Sequence, residues 1–346
     1  MATEAERLNQ VVDEAMDEIF SPVGSPVYAA TIGATNLDRS IDFYRDQIGF
    51  DVVDRRTMSG TAFEQHWRLP PGATAEMAVL ADRCEVGRIA LIQWHADHRR
   101  PVRDVPAQQV YGFINLNFYS NDIAAHTARI AASGYRPWTA PVVHDMGWDI
   151  GEPIEVMIDG PDTVILNLIQ FSAKNPKART METRAYVADV FGYNRCGLTP
   201  VVTTAHHVRD FDAAMAFYRR VFKMDVRIAT VLKGRSMEEF TRFPPGAEAR
   251  DTYLRGYHLF GKIALIQPLN FPCSDMVPNA LPPNIGYIAQ SFIVADLERA
   301  LADAAEAGGE LFTPAIELDM PELGNVRTAI VRNPGSGGLQ EMIERS

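Results

Sequence analysis

Shifting the sequence by 174 residues lays Val27–Trp94 on Val201–Pro268 without a gap, and 22 of the 68 positions are identical. The anchors are FYR (43–45 and 217–219), PPGA (70–73 and 244–247) and IALIQ (89–93 and 263–267). The same offset carries Asp122 onto Asp296, Gly134 onto Gly308 and Asn167 onto Glu341. A register held over this length means duplication, so the fold must be one that a chain can build twice. Two halves follow, 23–172 and 199–346, joined by a linker at 173–198 with a short helix near Glu182–Phe191.

Each half divides again into two modules with a common pattern: a strand, a helix, then three strands. In the first, Val27–Ala34 is strand-like, and Asn36 can cap a helix whose apolar face is Leu37, Ile41, Tyr44 and Ile48. Gly49 suits the residue just past that helix. Asp51–Arg56, Thr61–Leu69 and Arg88–Trp94 then read as strands, broken by Ser59-Gly60 and Pro70-Pro71-Gly72. The second module opens at Gly112–Tyr119, with a helix from Ile123 to Ser133. The third and fourth begin near Val201 and Tyr287. Outside the repeat, residues 1–22 carry an amphipathic stripe of Leu8, Val11, Val12, Ala15, Met16, Ile19 and Phe20. That stripe suits docking on its own chain or a homodimer contact.

Composition narrows the function. With 47% hydrophobic and 22% charged residues the chain matches an ordinary globular protein. A net charge of −11 argues against nucleic acid or anionic lipid as partner, since either demands a basic patch. No apolar run reaches the roughly 18 residues of a membrane span. The first residues, MATEAERLNQ, have neither a basic nor an apolar leader segment, so a cytoplasmic location is expected. Cys84, Cys196 and Cys273 are too few and too scattered for a disulfide framework. A small-molecule partner is what remains.

The helix motifs LDRSIDFYRDQIGF in the first module and FDAAMAFYRRVFKM in the third resemble the vicinal oxygen chelate superfamily. That group includes glyoxalase I, extradiol dioxygenases, methylmalonyl-CoA epimerase and the fosfomycin and bleomycin resistance proteins. The resemblance implies an α+β fold of tandem βαβββ modules. Consecutive modules would pair edge to edge, giving two glyoxalase-like domains, each a curved mixed sheet around a cleft with helices outside. It also implies metal-ligand positions on the first and last strands of a module. These fall on Ala29, Asn115, Thr203 and Ala289, and on Ala90, Asn167, Ala264 and Glu341. Alanine and threonine do not grip Fe(II), Zn(II) or Mn(II). The usual metal is therefore not expected.

Strand alternation fills the expected clefts, because every second side chain shares a face. The N-terminal cleft would hold Glu64, His66, Arg68, Asn115, Asn117, Tyr119, Glu155 and Asn167. The C-terminal one would hold Thr203, His207, Glu238, Arg242, Ser291 and Glu341. Histidine beside carboxylates suits proton transfer near neutrality. His66, Glu64, His207 and Glu341 are thus the catalytic candidates. Arg68, Asn115, Asn117, Tyr119, Glu155, Asn167, Glu238 and Arg242 are the substrate-binding ones, and Trp94, Tyr119 and Trp148 an aromatic edge. A structural reading has equal standing for Glu64 and Arg68, as a cross-strand ion pair. The expected activity is a lyase or isomerase acting by acid–base chemistry on a carbonyl-bearing or aromatic molecule, without a cofactor. Two alternatives stand beside it. One is an Fe(II)-dependent extradiol-type dioxygenase with displaced ligands, for example His207 and Glu341 plus one further group. The other is a sequestering protein like the bleomycin-binding members.

Overall fold

A computed structural model describes residues 23–103 and 109–345; the amphipathic helix expected within residues 1–22 lies outside them. The first module runs β1 (Ala29–Gly33), a helix Leu37–Phe43, β2 (Asp51–Met58), a short helix Thr61–Trp67, β3 (Ala75–Ala81) and β4 (Arg88–Trp94). The second has β5 (Val110–Tyr119), a helix Ile123–Ala132, β6 (Val142–Val143), β7 (Ile154–Asp159) and β8 (Ile165–Gln170). After a linker helix, Arg179–Ala185, the third has β9 (Thr203–His207), a helix Phe211–Val221, β10 (Asp225–Leu232), a short helix Arg235–Thr241, β11 (Ala249–Arg255) and β12 (Lys262–Pro268). The two-residue strand β13 (Ser274–Asp275) precedes the fourth: β14 (Gly286–Ile293), a helix Leu297–Glu306, β15 (Glu310–Met320), β16 (Gly324–Arg332) and β17 (Leu339–Arg345).

Each long helix starts where the sequence gives it a cap. The side chains of Asn36, Asp122, Asp210 and Asp296 accept from the backbone amides of Arg39, Ala125, Ala213 and Arg299. A capping side chain of this kind satisfies one of the orphan amides at a helix start. One expectation fails. Thr61–Leu69 was expected as a strand, but Thr61–Trp67 is helical, and the third module repeats it at Arg235–Thr241. The buried residues are Phe63, His66 and Trp67, the i, i+3, i+4 spacing of a helix face rather than alternation. The strand next to β2 is Ala75–Ala81 instead.

The second correction concerns pairing. One sheet has the order β15-β16-β17-β14-β1-β4-β3-β2, and the other β10-β11-β12-β9-β5-β8-β7-β6. Module one therefore pairs with module four, through β1 and β14, and module two with module three, through β5 and β9. Residues 23–172 and 199–346 mark the duplication, but neither closes a sheet on its own. What holds each half together is its helix layer. Leu37, Ile41 and Tyr44 of module one share a core with Ile123, Ile130 and Leu166 of module two. Phe217, Tyr218 and Phe222 share another with Leu297, Ala300 and Ala304. First strands of homologous modules present the same pattern to any partner, so sequence alone cannot choose between the two pairings.

The halves interlock at two equivalent glycines. Gly87 accepts from the amide of Val201 at 3.1 Å, and Gly261 accepts from that of Val27 at 2.8 Å. Both have positive φ, +70° and +71°, and an added Cβ would lie 2.4 Å from the Val201 oxygen or 2.6 Å from the Val27 oxygen. Backbone cannot retreat as a side chain can. Gly87→Ala and Gly261→Ala are each expected to cost about 2 kcal/mol or more, read as a shift in urea midpoint at unchanged slope. A loss below about 0.5 kcal/mol would contradict this crossing. Among the described residues no helix is long and apolar enough to cross a membrane.

Candidate functional site

The two sheets give two concave faces of different character. The face built from modules one and four is lined by apolar side chains, including Met58, Phe63, Trp67, Met77, Trp94 and Leu318. Three polar residues meet within it. His66 Nε2 lies 2.6 Å from Glu341 Oε1, and the Ser291 hydroxyl donates to Glu341 Oε2 at 2.5 Å. Thr313 fixes the short helix from outside by donating to the His66 carbonyl at 2.8 Å. His66 and Glu341 are at most 1% exposed. The strand reading had set them in separate clefts; the helical turn of 61–67 and the exchange of modules bring them together.

The face built from modules two and three is polar. Its central row follows from the register: Asn167 beside Asn117, Asn117 opposite Thr203, and Thr203 beside Lys262. Alternation in Ile154–Asp159 turns Glu155 to the same side, where it accepts from Asn167 Nδ2 at 2.6 Å. Asp251 and Tyr253 come from β11, which reads ARDTYLR. Two adjoining cavities, of about 70 and about 40 Å³, share Met146, Glu155 and Tyr253 as lining. Together they have room for several waters or a small organic molecule.

Burial sets the electrostatics of this cleft. Desolvation pushes the Glu155 carboxyl up to about 7, against the pull of its bond from Asn167. It pushes Asp251 up to about 8, and the neighbouring charge of Glu155 adds to the rise. Both shifts favour the protonated form, and an ionised Glu155 makes Asp251 harder to ionise. At the other end burial holds the Lys262 amine well below its usual range, and the positive charges of Arg255 and Arg227 lower it further. Lys262 donates to the Leu259 carbonyl at 2.6 Å and to the Tyr119 hydroxyl at 3.2 Å. The cleft is thus acidic at one end and basic at the other.

Of the residues expected from sequence, Asn115, Asn117, Tyr119, Glu155 and Asn167 share this cleft. Thr203, expected in the other cleft, joins them; the remaining residues do not. Glu64 accepts from the Gly72 amide at 2.6 Å, and Glu238 from the Gly246 amide at 2.7 Å. Each carboxylate thereby holds the PPGA turn of its own module. Arg68 stacks on Phe312 and Arg242 on Trp138, at 4.4 and 4.2 Å from the ring centres. The repeated Glu and Arg thus hold turns and pack on rings rather than forming an ion pair with each other; Glu64 and Arg68 border an open surface pocket beside Phe312, apart from the polar cleft. His207 lies on β9 against Phe243, in a different sheet from Glu341. Trp94 sits in the apolar concavity and Trp148 is exposed, so no common aromatic edge forms with Tyr119. Cys84 meets its duplicate position, His258, at 3.6 Å. Burial pushes that thiol up to about 11 and the imidazole down to about 4, so both groups are held in their neutral forms, against a thiolate. Asp251, Tyr253, Arg227, Arg255 and Lys262 were missed, although alternation in ARDTYLR would have found three of them.

Among the described residues neither concavity offers the donors of a transition-metal centre. Thr31, Ala90, Ser291 and Glu341 stand at the middle of one, and Ala205, Ala264, Asn117 and Asn167 at the middle of the other. A histidine and a carboxylate in the first, and the carboxyls of Glu155 and Asp251 among amides in the second, fall short of the three nitrogen, sulfur or carboxylate ligands such ions take. Among the described residues no three His, Cys, Asp or Glu side chains gather in metal-binding fashion. The donor sets do not fit the ion that the fold family uses.

Comparison with known proteins agrees with the geometry of the fold. Residues 27–161 match the family model of the Glyoxalase/Bleomycin resistance protein/Dioxygenase superfamily. A mutant glyoxalase I from Zea mays superposes with a TM-score of 0.61 at 14% identity, over 97% of this chain and 96% of that one. Unmutated glyoxalase I from Zea mays gives 0.59 at 14% identity, over 92% of each chain. A putative dioxygenase from Bacillus subtilis gives 0.54 at 12% identity, over 93% and 86%. No curated protein sequence matches the chain.

Proposed function

We propose that this chain, a member of the vicinal oxygen chelate superfamily, is a lyase or isomerase that moves a proton on a carbonyl-bearing small molecule held between modules two and three. The observation that carries the reading is the carboxyl pair of half-buried Glu155 and buried Asp251, sharing one cavity system with Asn117, Asn167 and Tyr253. A base poised near neutrality is what proton abstraction at physiological pH asks for. Ionised Glu155 takes a proton from the carbon beside the carbonyl, and the C–H electron pair moves onto the carbonyl oxygen. Asp251, protonated when Glu155 is ionised, donates a hydrogen bond to that developing charge. The electron pair then returns from the oxygen. In a β,γ-unsaturated carbonyl compound the γ-carbon takes the proton from Glu155 and an isomerisation is complete. Where the β-carbon carries a leaving group, that group departs with its bonding pair and an elimination is complete. No step is drawn through a metal, because the donor sets do not fit one.

The dioxygenase reading, taken with His207 and Glu341 as its example ligands, finds those two in different sheets. The sequestering reading is separated by experiment. A panel of carbonyl-bearing and aromatic hydroxy acids incubated with the protein in D2O, followed by proton NMR, is expected to reveal loss of a carbon-bound proton in at least one member. Binding without exchange across the panel would sink the catalytic reading.

The pH profile follows from the same pair. A base must be deprotonated to act, so kcat/KM rises as pH climbs through about 7. The donor must keep its proton, so the rate falls again through about 8. A flat profile between pH 6 and 9 would contradict the assignment.

A further inference from the structure

The basic end of the cleft gathers more cationic side chains than an acid–base site needs. Arg227 (β10), Arg255 (β11) and Lys262 (β12) converge there within a chain of net charge −11. Lys262 is 5% exposed and Arg255 3%. The acceptors of the Lys262 amine, a carbonyl and a phenol, carry no charge. Arg227 has a loose ion pair with Glu182, at 3.7 Å, and its own side chain is only 10% exposed. Its Nη1 is buried without a hydrogen-bond partner, and so is the Thr180 hydroxyl. Both residues line the 70 Å³ cavity, with Lys262 and Arg179. Thr180 and Arg179 belong to the linker helix, so the segment joining the two halves serves as a wall of the site.

Packing like charges away from water costs free energy that these neutral acceptors do not return. An anion among them would return it and satisfy both orphaned groups. We propose that the ligand of this cleft carries an oxyanion, a carboxylate or a phosphate, bound by Lys262, Arg227 and Thr180 with its oxygenated carbon skeleton directed toward Glu155. This names the substrate class of the site proposed above and rests on that reading for the direction of the skeleton. The binding of the anion stands apart from it.

The test is thermal unfolding of the full chain with inorganic phosphate, acetate or malonate, against chloride at matched ionic strength. At saturating concentration the effective anion raises Tm by about 3–5 °C. A response to phosphate alone assigns a phosphate ester, and a response to the carboxylates alone a carboxylic acid. Lys262→Met abolishes the response and raises the Tm of the unliganded protein, because it removes an amine that burial beside Arg227 and Arg255 makes costly to charge; a merely structural lysine would lower it. Arg227→Gln, at the cavity wall, abolishes the response as well and serves if the first variant does not fold. Glu155→Gln keeps the anion response while losing proton exchange, so failure of the catalytic reading and failure of the anion site look different. No shift with any of the three anions overturns the proposal. So does a shift that survives in both Lys262→Met and Arg227→Gln.

Discussion

Replacing Glu155 with glutamine is expected to lower turnover by about 100- to 10,000-fold while leaving the fold intact. The size is that of losing a positioned general base. The sign follows from chemistry: glutamine keeps the shape and one acceptor, but it cannot take a proton. The bond from Asn167 can persist, since the amide oxygen replaces a carboxylate oxygen. Stability should not fall and can rise, because a carboxyl that burial pushes up to about 7 is costly to ionise in the folded state. The sign is clear in this case. The folded value lies above the unfolded one, so the carboxyl's contribution to stability is full below about 4.5 and is lost as pH rises through about 7. The variant, which has no proton to lose, escapes that decline. Solvent-deuterium exchange on the responding substrate measures the first effect, and urea titration at pH 5 and pH 8 the second. Turnover within threefold of wild type would remove Glu155 from the mechanism.

The second large effect concerns stability in the other sheet. His66→Leu is expected to cost about 3–5 kcal/mol, because it leaves Glu341 buried with Ser291 as its remaining hydrogen-bond donor. The loss should not be additive. His66→Leu combined with Glu341→Leu replaces the polar pair by apolar groups among Phe63, Trp67 and Ile343, and recovers most of the stability. This is the signature of a tie between a short helix and a strand 275 positions away. Turnover per folded molecule should stay at the wild-type level, because the pair faces the concavity of modules one and four. A folded His66→Leu protein with turnover lost would return the chemistry to that side.

How much of this was readable in the chain depends on how local the signal is. The duplication, the helix caps at Asn36, Asp122, Asp210 and Asp296, and the strands of the second module were legible because they rest on spacing within a few residues. Alternation placed Asn115, Asn117, Tyr119, Glu155 and Asn167 on one face, and the structure gathers all five. It failed at 61–67, where Phe63, Trp67 and Leu69 fit a strand by parity, but the burial of His66 beside Trp67 fits only a helix. The pairing of modules was invisible for a physical reason. β1, β5, β9 and β14 are near-equivalent edges, and what selects among them is the packing of helix layers across modules. The basic end of the cleft was lost with the pairing, since Lys262 and Arg227 matter only once module three faces module two. Glu64 and Glu238 show the reverse case. Their recurrence looked functional, and it came from a turn that both halves need.

The central claim is that the ligand sits between modules two and three, gripped at Lys262 and worked on at Glu155. A crystal structure of the protein with the responding carboxylate or phosphate ester bound would test it most directly. The account predicts ligand density spanning Lys262, Arg227 and Glu155, with the apolar concavity around His66 and Glu341 empty. Density seated against His66 and Glu341, with none beside Lys262, would contradict it.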